Sequence, residues 1–486
     1  MQAIYARKNP GKICIQNQRN MLYKYHYMRT KITLSGPLVL IFALWGTALA
    51  QAQENSTESI LARINGLLSE SKHNEAIALF DTIPLPDRDS TPLRLFRASV
   101  LSSAGKHPEA RALVETISRS DPNNIEVLFM LSNIEGAAGR RRQQQTALER
   151  IIRIDPNNAE ALVELGNISM RNRNVRNAAS YFHRVLTNDS NNAQALIGLA
   201  RAYRANREYD EAEGLYNHAV KLHPTLPEAW SERARFYKGR GFLVQALSDL
   251  NEAIKLAPND YWISIDRGTL LMEMNRKPAA LTEFNRAISI SPGEFLAYAY
   301  SSGLKDDLGD PDGAERDYAV LARLRPDYYY ALEGLGLHKM RNENWAEARD
   351  IFREAYRRAP QEHFYALLAA INWMRAENVT SPRNFLREAH GRVKRDTLEW
   401  YMFRLFHDLT GRTFAGETDM IRRIEQESDE NLKARMMFYL AQYYDVRGNT
   451  AIANRYYTMV SNMGPRAIPE WRLNEWIVAA RELKSL

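Results

Sequence analysis

The chain is almost free of cysteine: one residue of 486, Cys14, carries a thiol. It lies upstream of the apolar run at 38–45, so it cannot be a lipid-accepting cysteine placed just after that run. Once the leader is removed, disulfides, thiolate metal sites and cysteine catalysis are excluded together. Acidic residues are missing from residues 1–50, which hold Arg7, Lys8, Lys12, Arg19, Lys24, Arg29 and Lys31. The net charge of +7 therefore belongs to this leader, and residues 51–486 carry 58 basic and 58 acidic side chains. A balanced body has no global electrostatic reason to seek nucleic acid or an anionic membrane. Absent too are His-Glu-x-x-His, Gly-x-Ser-x-Gly, Gly-x-x-x-x-Gly-Lys-Ser and paired cysteine ligands. His363, His390 and His407 have Glu362, Glu388 and Asp408 nearby. Packed or solvated helical histidines are commoner than a site built this way, so no metal, cofactor or catalytic residue is expected.

What is present begins with the leader itself. Arg29 and Lys31 precede Leu38-Val39-Leu40-Ile41-Phe42-Ala43-Leu44-Trp45, and Ala48-Leu49-Ala50 follows. Basic, apolar and small-x-small segments in this order form a secretory signal, with cleavage expected after Ala50. The apolar stretch is short for a bilayer span, which makes an uncleaved anchor the weaker alternative. Met28 is a natural translation start ahead of this signal. An exported, cysteine-free, helix-rich chain is expected in the bacterial periplasm, with no membrane span once the leader is gone.

The rest of the chain is periodic. Pro122, Pro156, Pro224, Pro258, Pro292, Pro326 and Pro360 fall on one 34-residue lattice, and Ser190 fills the skipped place. Ten residues after each come Ser132, Gly166, Ala200, Ala234, Gly268, Ser302, Gly336 and Ala370, small enough to let two helices approach closely. Twelve further on stand Ala178, Ala212, Ala246, Ala280, Ala314 and Ala348. Four beyond those is a bulky column that includes Phe182, Tyr216, Leu250, Phe284, Tyr318 and Phe352, and three more give Val185, Ala219, Ala253 and Ala287. The i, i+4, i+7 spacing marks one buried helical stripe.

These columns resemble the tetratricopeptide repeat, as Ala212 to Ala219 and Ala280 to Ala287 illustrate. The resemblance implies an all-α, right-handed superhelical solenoid of about nine to eleven helix-turn-helix repeats with a C-terminal capping helix. The expected divisions are a leader at 1–50, an N-terminal capping repeat at 51–90 and a regular array at 91–362. An irregular helical segment at 363–433 and a final repeat with its closing helix at 434–486 complete the chain. The pattern loses phase near Pro382 and returns in Phe438-Tyr439-Leu440-Ala441-Gln442-Tyr443-Tyr444, then Ala453, Tyr457 and Val460. This tail, with Glu470-Trp471-Arg472, resembles the periplasmic adaptors of the new-lipoprotein-I class. The chain departs from that class in lacking the lipid-accepting cysteine and in having many more repeats.

In such an array the first helices of successive pairs line a concave groove. The positions exposed there include Asn133, Asn167, Arg171, Arg201, Arg204, Arg235 and Lys238, a polar and then cationic ladder, followed by Glu273, Asp306 and Asp307 of opposite sign. The family resemblance implies that Asn at this position grips a peptide backbone while neighbouring cations clamp a carboxylate, and Arg can take a carboxylate through two parallel hydrogen bonds. A solvated face compensated by charges such as Glu228 and Glu232 is the plainer reading. Charge reversal at Arg201 and Arg235 is then expected to abolish capture of a partner while leaving stability nearly unchanged. Trp373, Trp400 and Tyr401 form a second candidate surface, for a homodimer or another partner. The function expected is a non-enzymatic scaffold or adaptor binding protein or peptide partners in the cell envelope. An accessory of envelope glycan or exopolysaccharide handling is the alternative.

Overall fold

The structure, a computed structural model, describes residues 56–85, 87–377, 382–407, 414–464, 468 and 470–485. The leader and its cleavage position lie outside the described residues. The regular elements of those residues are all helical, and they fall into two compact units that meet in sequence between Leu256 and Ala257. The first unit holds α1 (Thr57–Ser69), α2 (His73–Leu79), α3 (Thr91–Ser103), α4 (His107–Ser120), α5 (Ile125–Ala137) and α6 (Arg141–Ile154). It continues with α7 (Ala159–Arg171), α8 (Val175–Asn188), α9 (Ala193–Asn206), α10 (Tyr209–Leu222), α11 (Pro227–Gly239) and α12 (Leu243–Leu256). The second unit opens with α13 (Tyr261–Glu273), α14 (Lys277–Ile290), α15 (Phe295–Asp307), α16 (Pro311–Leu324), α17 (Tyr329–Arg341), α18 (Trp345–Arg358) and α19 (Phe364–Glu377). It ends with α20 (Arg383–His390), α21 (Leu398–His407), α22 (Phe414–Gln426), α23 (Glu430–Val446), α24 (Thr450–Asn462) and α25 (Glu470–Ser485).

Odd- and even-numbered helices pack as antiparallel-type pairs, A with B, and each pair packs on the next within its unit. The A helices from α3 to α17 begin 34 residues apart, as do the B helices from α4 to α18, so the lattice seen in the proline column is the structural repeat. Asn124, Asn158 and Asn192, two residues past that column, accept hydrogen bonds from the backbone N–H of Val127, Ala161 and Ala195 and start α5, α7 and α9. Each such cap contributes about 1 kcal/mol. In the first unit α3 packs on α5, α7 on α9 and α9 on α11. No B helix packs comparably on the next B helix among the described residues. Helices that touch every second element lie on the inside of a curve, which makes the A side of this unit the inner face.

The small column explains how the pairs close. Phe182, Phe284 and Phe352 are fully buried, each lying on glycine of a neighbouring A helix. A methyl group on Gly166 would come within 2.6 Å of the Phe182 ring, and one on Gly268 within 2.7 Å of the Phe284 ring. Phe284 is itself stacked on Tyr300 at a centroid distance of 4.7 Å and has no room to retreat. Gly268→Leu should therefore overpack this contact and lower stability by about 1–3 kcal/mol, read by chemical denaturation. A neutral result would mean that the helices do not meet through this column.

Buried ion pairs recur through the interior with the same period. Asp249, Glu283 and Asp317 are also 34 residues apart, each immediately before a bulky column residue, and all three are buried. Arg233 holds Asp249 at 2.8 Å, Arg267 pairs with Glu283, and Lys305 reaches Asp317 at 2.6 Å. Each pair ties an A helix to its own B helix. Replacing one partner alone would leave a buried charge uncompensated, which is costly.

The N-terminal pair keeps Ala76 and Phe80 in the core, but Phe80 falls in a 3-10 turn that ends α2 early. At the other end Pro382 takes the place of the lattice alanine and caps a shortened α20, while Leu386 and Ala389 still occupy their columns. The loss of phase therefore comes after α20 rather than at Pro382. The pairs α19/α20 and α21/α22 fill the segment read as irregular. α23 then supplies a continuous buried surface, with Phe438, Tyr439, Leu440, Ala441, Tyr443 and Tyr444 all in the core.

Candidate functional site

The ladder expected in the groove sits on the A face of the first unit, and its centre is a buried carboxylate. Glu232, on α11, is 4% exposed. Arg201, one repeat earlier on α9, donates from Nε to Glu232 Oε2 at 2.9 Å and from Nη2 to Glu228 Oε1 at 2.9 Å. Arg235, one turn along α11, donates to Glu232 Oε1. Burial alone would raise the Glu232 pKa, yet the attraction of Arg201, Arg235 and Arg204 outweighs it and holds the carboxyl well below the usual carboxylate range. Tyr216 is buried close to the same three arginines and has no hydrogen-bond partner among the described residues. Its hydroxyl is pushed up to about 12 by burial, so it stays neutral.

Arg201 and Arg235 are thus anchored, and their role in this structure is to satisfy Glu232. That corrects the expectation that both could be reversed without loss of stability. Arg204 and Lys238, one helical turn beyond Arg201 and Arg235, are half-buried at the same face. Arg201, Arg204, Arg235 and Lys238 therefore lie on one face of the adjacent A helices α9 and α11. Asn133 is exposed on α5 as expected, and Arg171 is half-buried at the end of α7. Asn167 is 7% exposed and belongs to the interior of α7, so it is not an open groove position.

The acidic half of the proposed ladder lies in the second unit and meets a different fate. Glu273 is exposed at the end of α13. Asp306 is buried, with its carboxylate 2.7 Å from Nη1 of Arg472 and 2.9 Å from Nε2 of His338, and it accepts a hydrogen bond from the Tyr318 hydroxyl at 3.1 Å. Asp307 is held by Nη2 of Arg472 at 2.7 Å and by Lys277 at 2.9 Å. Arg472 comes from α25. This helix packs on α24, the last repeat helix, and also on α17 and α23, and it reaches α15 through that arginine. Asp306 and Asp307 are consequently occupied by the chain's own last helix.

A second charged cluster lies at the start of α25. Glu470 is 2% exposed and accepts hydrogen bonds from Arg435 Nε at 3.0 Å and from the Tyr439 hydroxyl at 2.8 Å. Nearby, Glu333 of α17 accepts from the Tyr365 hydroxyl at 2.5 Å. Burial pushes the Glu333 carboxyl up to about 7, against the help of that hydrogen bond and of Arg435, with Glu470 adding like-charge repulsion.

The aromatic candidates are packed rather than displayed. Trp373 is half-buried, donates from Nε1 to Glu377 at 2.7 Å, and has the guanidinium groups of Arg349 and Arg353 over its ring at 5.6 and 5.1 Å. Trp400 and Tyr401 pack against the core, Trp400 beside His390 at 4.9 Å and Tyr401 beneath Arg423 at 3.9 Å. No group of three or more potential metal ligands occurs among the described residues.

Residues 164–227 and 304–363, about a quarter of the chain, match the family described as Tetratricopeptide repeat. The chain carries tetratricopeptide repeats. The matched stretches fall on helices α7 to α10 and α15 to α18, one in each unit, and the same 34-residue pairs extend between and beyond them. No curated protein matches the sequence. Among solved structures, a tetratricopeptide repeat protein from Parabacteroides merdae is 17% identical with a TM-score of 0.42, over 51% of this chain and 98% of its own. YrrB, described as a TPR protein with an unusual peptide-binding site, is 20% identical with a TM-score of 0.34, over 40% of this chain and 98% of its own. PilF of Pseudomonas aeruginosa is 19% identical with a TM-score of 0.36, over 42% of this chain and 92% of its own. None of these likenesses bears on what this repeat array binds.

Proposed function

We propose that this tetratricopeptide repeat protein is a non-enzymatic scaffold of the bacterial cell envelope, holding an acidic peptide or protein segment on the A face of its first unit. The observation that carries the reading is the placement of Arg201, Arg204, Arg235 and Lys238 together on one face of the adjacent A helices α9 and α11. Placement of cations on adjacent A helices suits an extended ligand, which meets several repeats at once. The export signal in the leader supports the location. The glycan-handling alternative needs open aromatic faces, and Trp373 has its ring covered by two arginines.

Arg204→Glu with Lys238→Glu should abolish capture of the natural partner from envelope extract by the mature chain, with its helical content retained. Capture by the unaltered chain should weaken as salt is raised, since half-exposed charges are screened. Capture that survives the double reversal and is lost with Trp400→Ala would transfer the binding surface to the aromatic region.

A further inference from the structure

The contacts of α25 divide between two sides of one helix. At about 100° per residue, Leu473, Asn474 and Arg481 lie within about 60° of Glu470, whereas Arg472 and Trp476 project about 200° and 240° round from it. The first side meets α23 and α24. Glu470 pairs with Arg435 of α23, Leu473 is 1% exposed, Asn474 donates to the Tyr457 carbonyl at 3.1 Å and to Ser461 at 2.9 Å, and Arg481 holds Asp445 at 2.7 Å. The other side meets α15 and α17. Arg472 takes Asp306 and Asp307, and Trp476 lies 4.9 Å from the buried His338 ring with Arg341 at 5.5 Å. A helix that only closed the end of a solenoid would be covered on one side and solvated on the other. α25 is gripped on both.

We propose that the surface formed by α15, α17, α23 and α24 is a recognition groove for an amphipathic helix, and that α25 occupies it as a built-in ligand. The partner it fits is a helix presenting a carboxylate, a guanidinium two residues on and an indole four further, the chemistry of Glu470, Arg472 and Trp476. The polar partners are specific at both ends. Asp306 and Asp307 receive the guanidinium, and Arg435 with Tyr439 receives the carboxylate. Seven residues separate the end of α24 from the start of α25, so the tether keeps α25 at a local concentration in the millimolar range. An external helix must compete with that, which makes the groove closed by default and open to a partner that binds tightly or arrives at high density.

The test uses the full mature chain with a protease recognition sequence inserted between residues 465 and 467. After cutting, a labelled synthetic peptide of residues 468–486 should replace the released helix. The unaltered peptide should bind at least tenfold more tightly than the same peptide with Arg472→Glu. The uncut chain should bind the peptide on the order of a hundredfold more weakly than the cut chain, because its own helix competes. Asp306→Asn with Asp307→Asn in the cut chain should speed release of the helix without loss of helicity. Equal binding of the two peptides, or a cut chain that aggregates and cannot exchange its helix, would overturn the proposal and make α25 an integral part of the core. This result is independent of the first unit, so either proposal can fail without the other.

Discussion

Reversing Arg201 and Arg235 together to glutamate should lower the stability of the first unit by about 3–5 kcal/mol. The cause is Glu232, 4% exposed and satisfied by both guanidinium groups. After the reversal three carboxylates would share one desolvated site, and Glu228 would add a fourth at its edge. For a unit of this size the corresponding fall in melting temperature is about 10 °C. It should appear in the transition belonging to residues up to 256, while that of the second unit stays in place. Adding Glu232→Gln to the double variant should restore part of the loss, because one of the clashing charges is then gone. Unchanged melting in the double variant would mean that Glu232 is not buried as described. The same experiment shows why Arg201 and Arg235 cannot report on binding.

The second large effect is a pH dependence in the second unit. Glu333 has its carboxyl raised from 4.5 to about 7 in the folded chain, chiefly by burial. Between those values the folded state holds a proton that the unfolded state has lost, so stability falls as pH rises through this window and the full cost is reached above pH 7. The direction is opposite to that of an ordinary salt-bridged carboxylate. Glu333→Gln keeps an acceptor for the Tyr365 hydroxyl and removes the cost of ionisation. The variant should match the unaltered chain near pH 4.5 and exceed it by up to about 3 kcal/mol above pH 7. Chemical denaturation at pH 5, 6, 7 and 8 measures the difference. A difference that does not change with pH would contradict the account of Glu333.

The regular part of the fold was legible because its signals are discrete and repeated. A proline, a small residue and a bulky one at fixed places in a 34-residue period mark loop, close contact and core, and the helix starts follow the same period from Thr91 to Trp345. The cationic ladder was legible as residue types on one face, but not its internal pairing. Arg201 finds Glu228 and Glu232 in the following repeat, 27 and 31 residues away, the two carboxylates expected as compensating charges but with no pairing assigned to either. Asn167 was misplaced for a related reason, since a polar residue at the edge of the small column can turn into the pair as easily as out of it. The seat of α25 was beyond the sequence altogether. Arg472 and Asp307 are 165 residues apart, and no periodicity links a lone terminal helix to the face it covers. The buried pairs at Asp249, Glu283 and Asp317 did carry a signal, the shared 34-residue spacing of three acidic residues. It was masked by the stronger apolar columns beside it.

The central claim, that partners are held on the A face of the first unit, is tested most directly by site-specific photo-crosslinking in living cells. A photo-reactive residue placed at Asn133 or Arg204 should yield a discrete covalent adduct with one partner protein. The same residue at Lys255, 67% exposed on a B helix, should yield none. Adducts formed from Lys255 and absent from Asn133 and Arg204 would contradict the account.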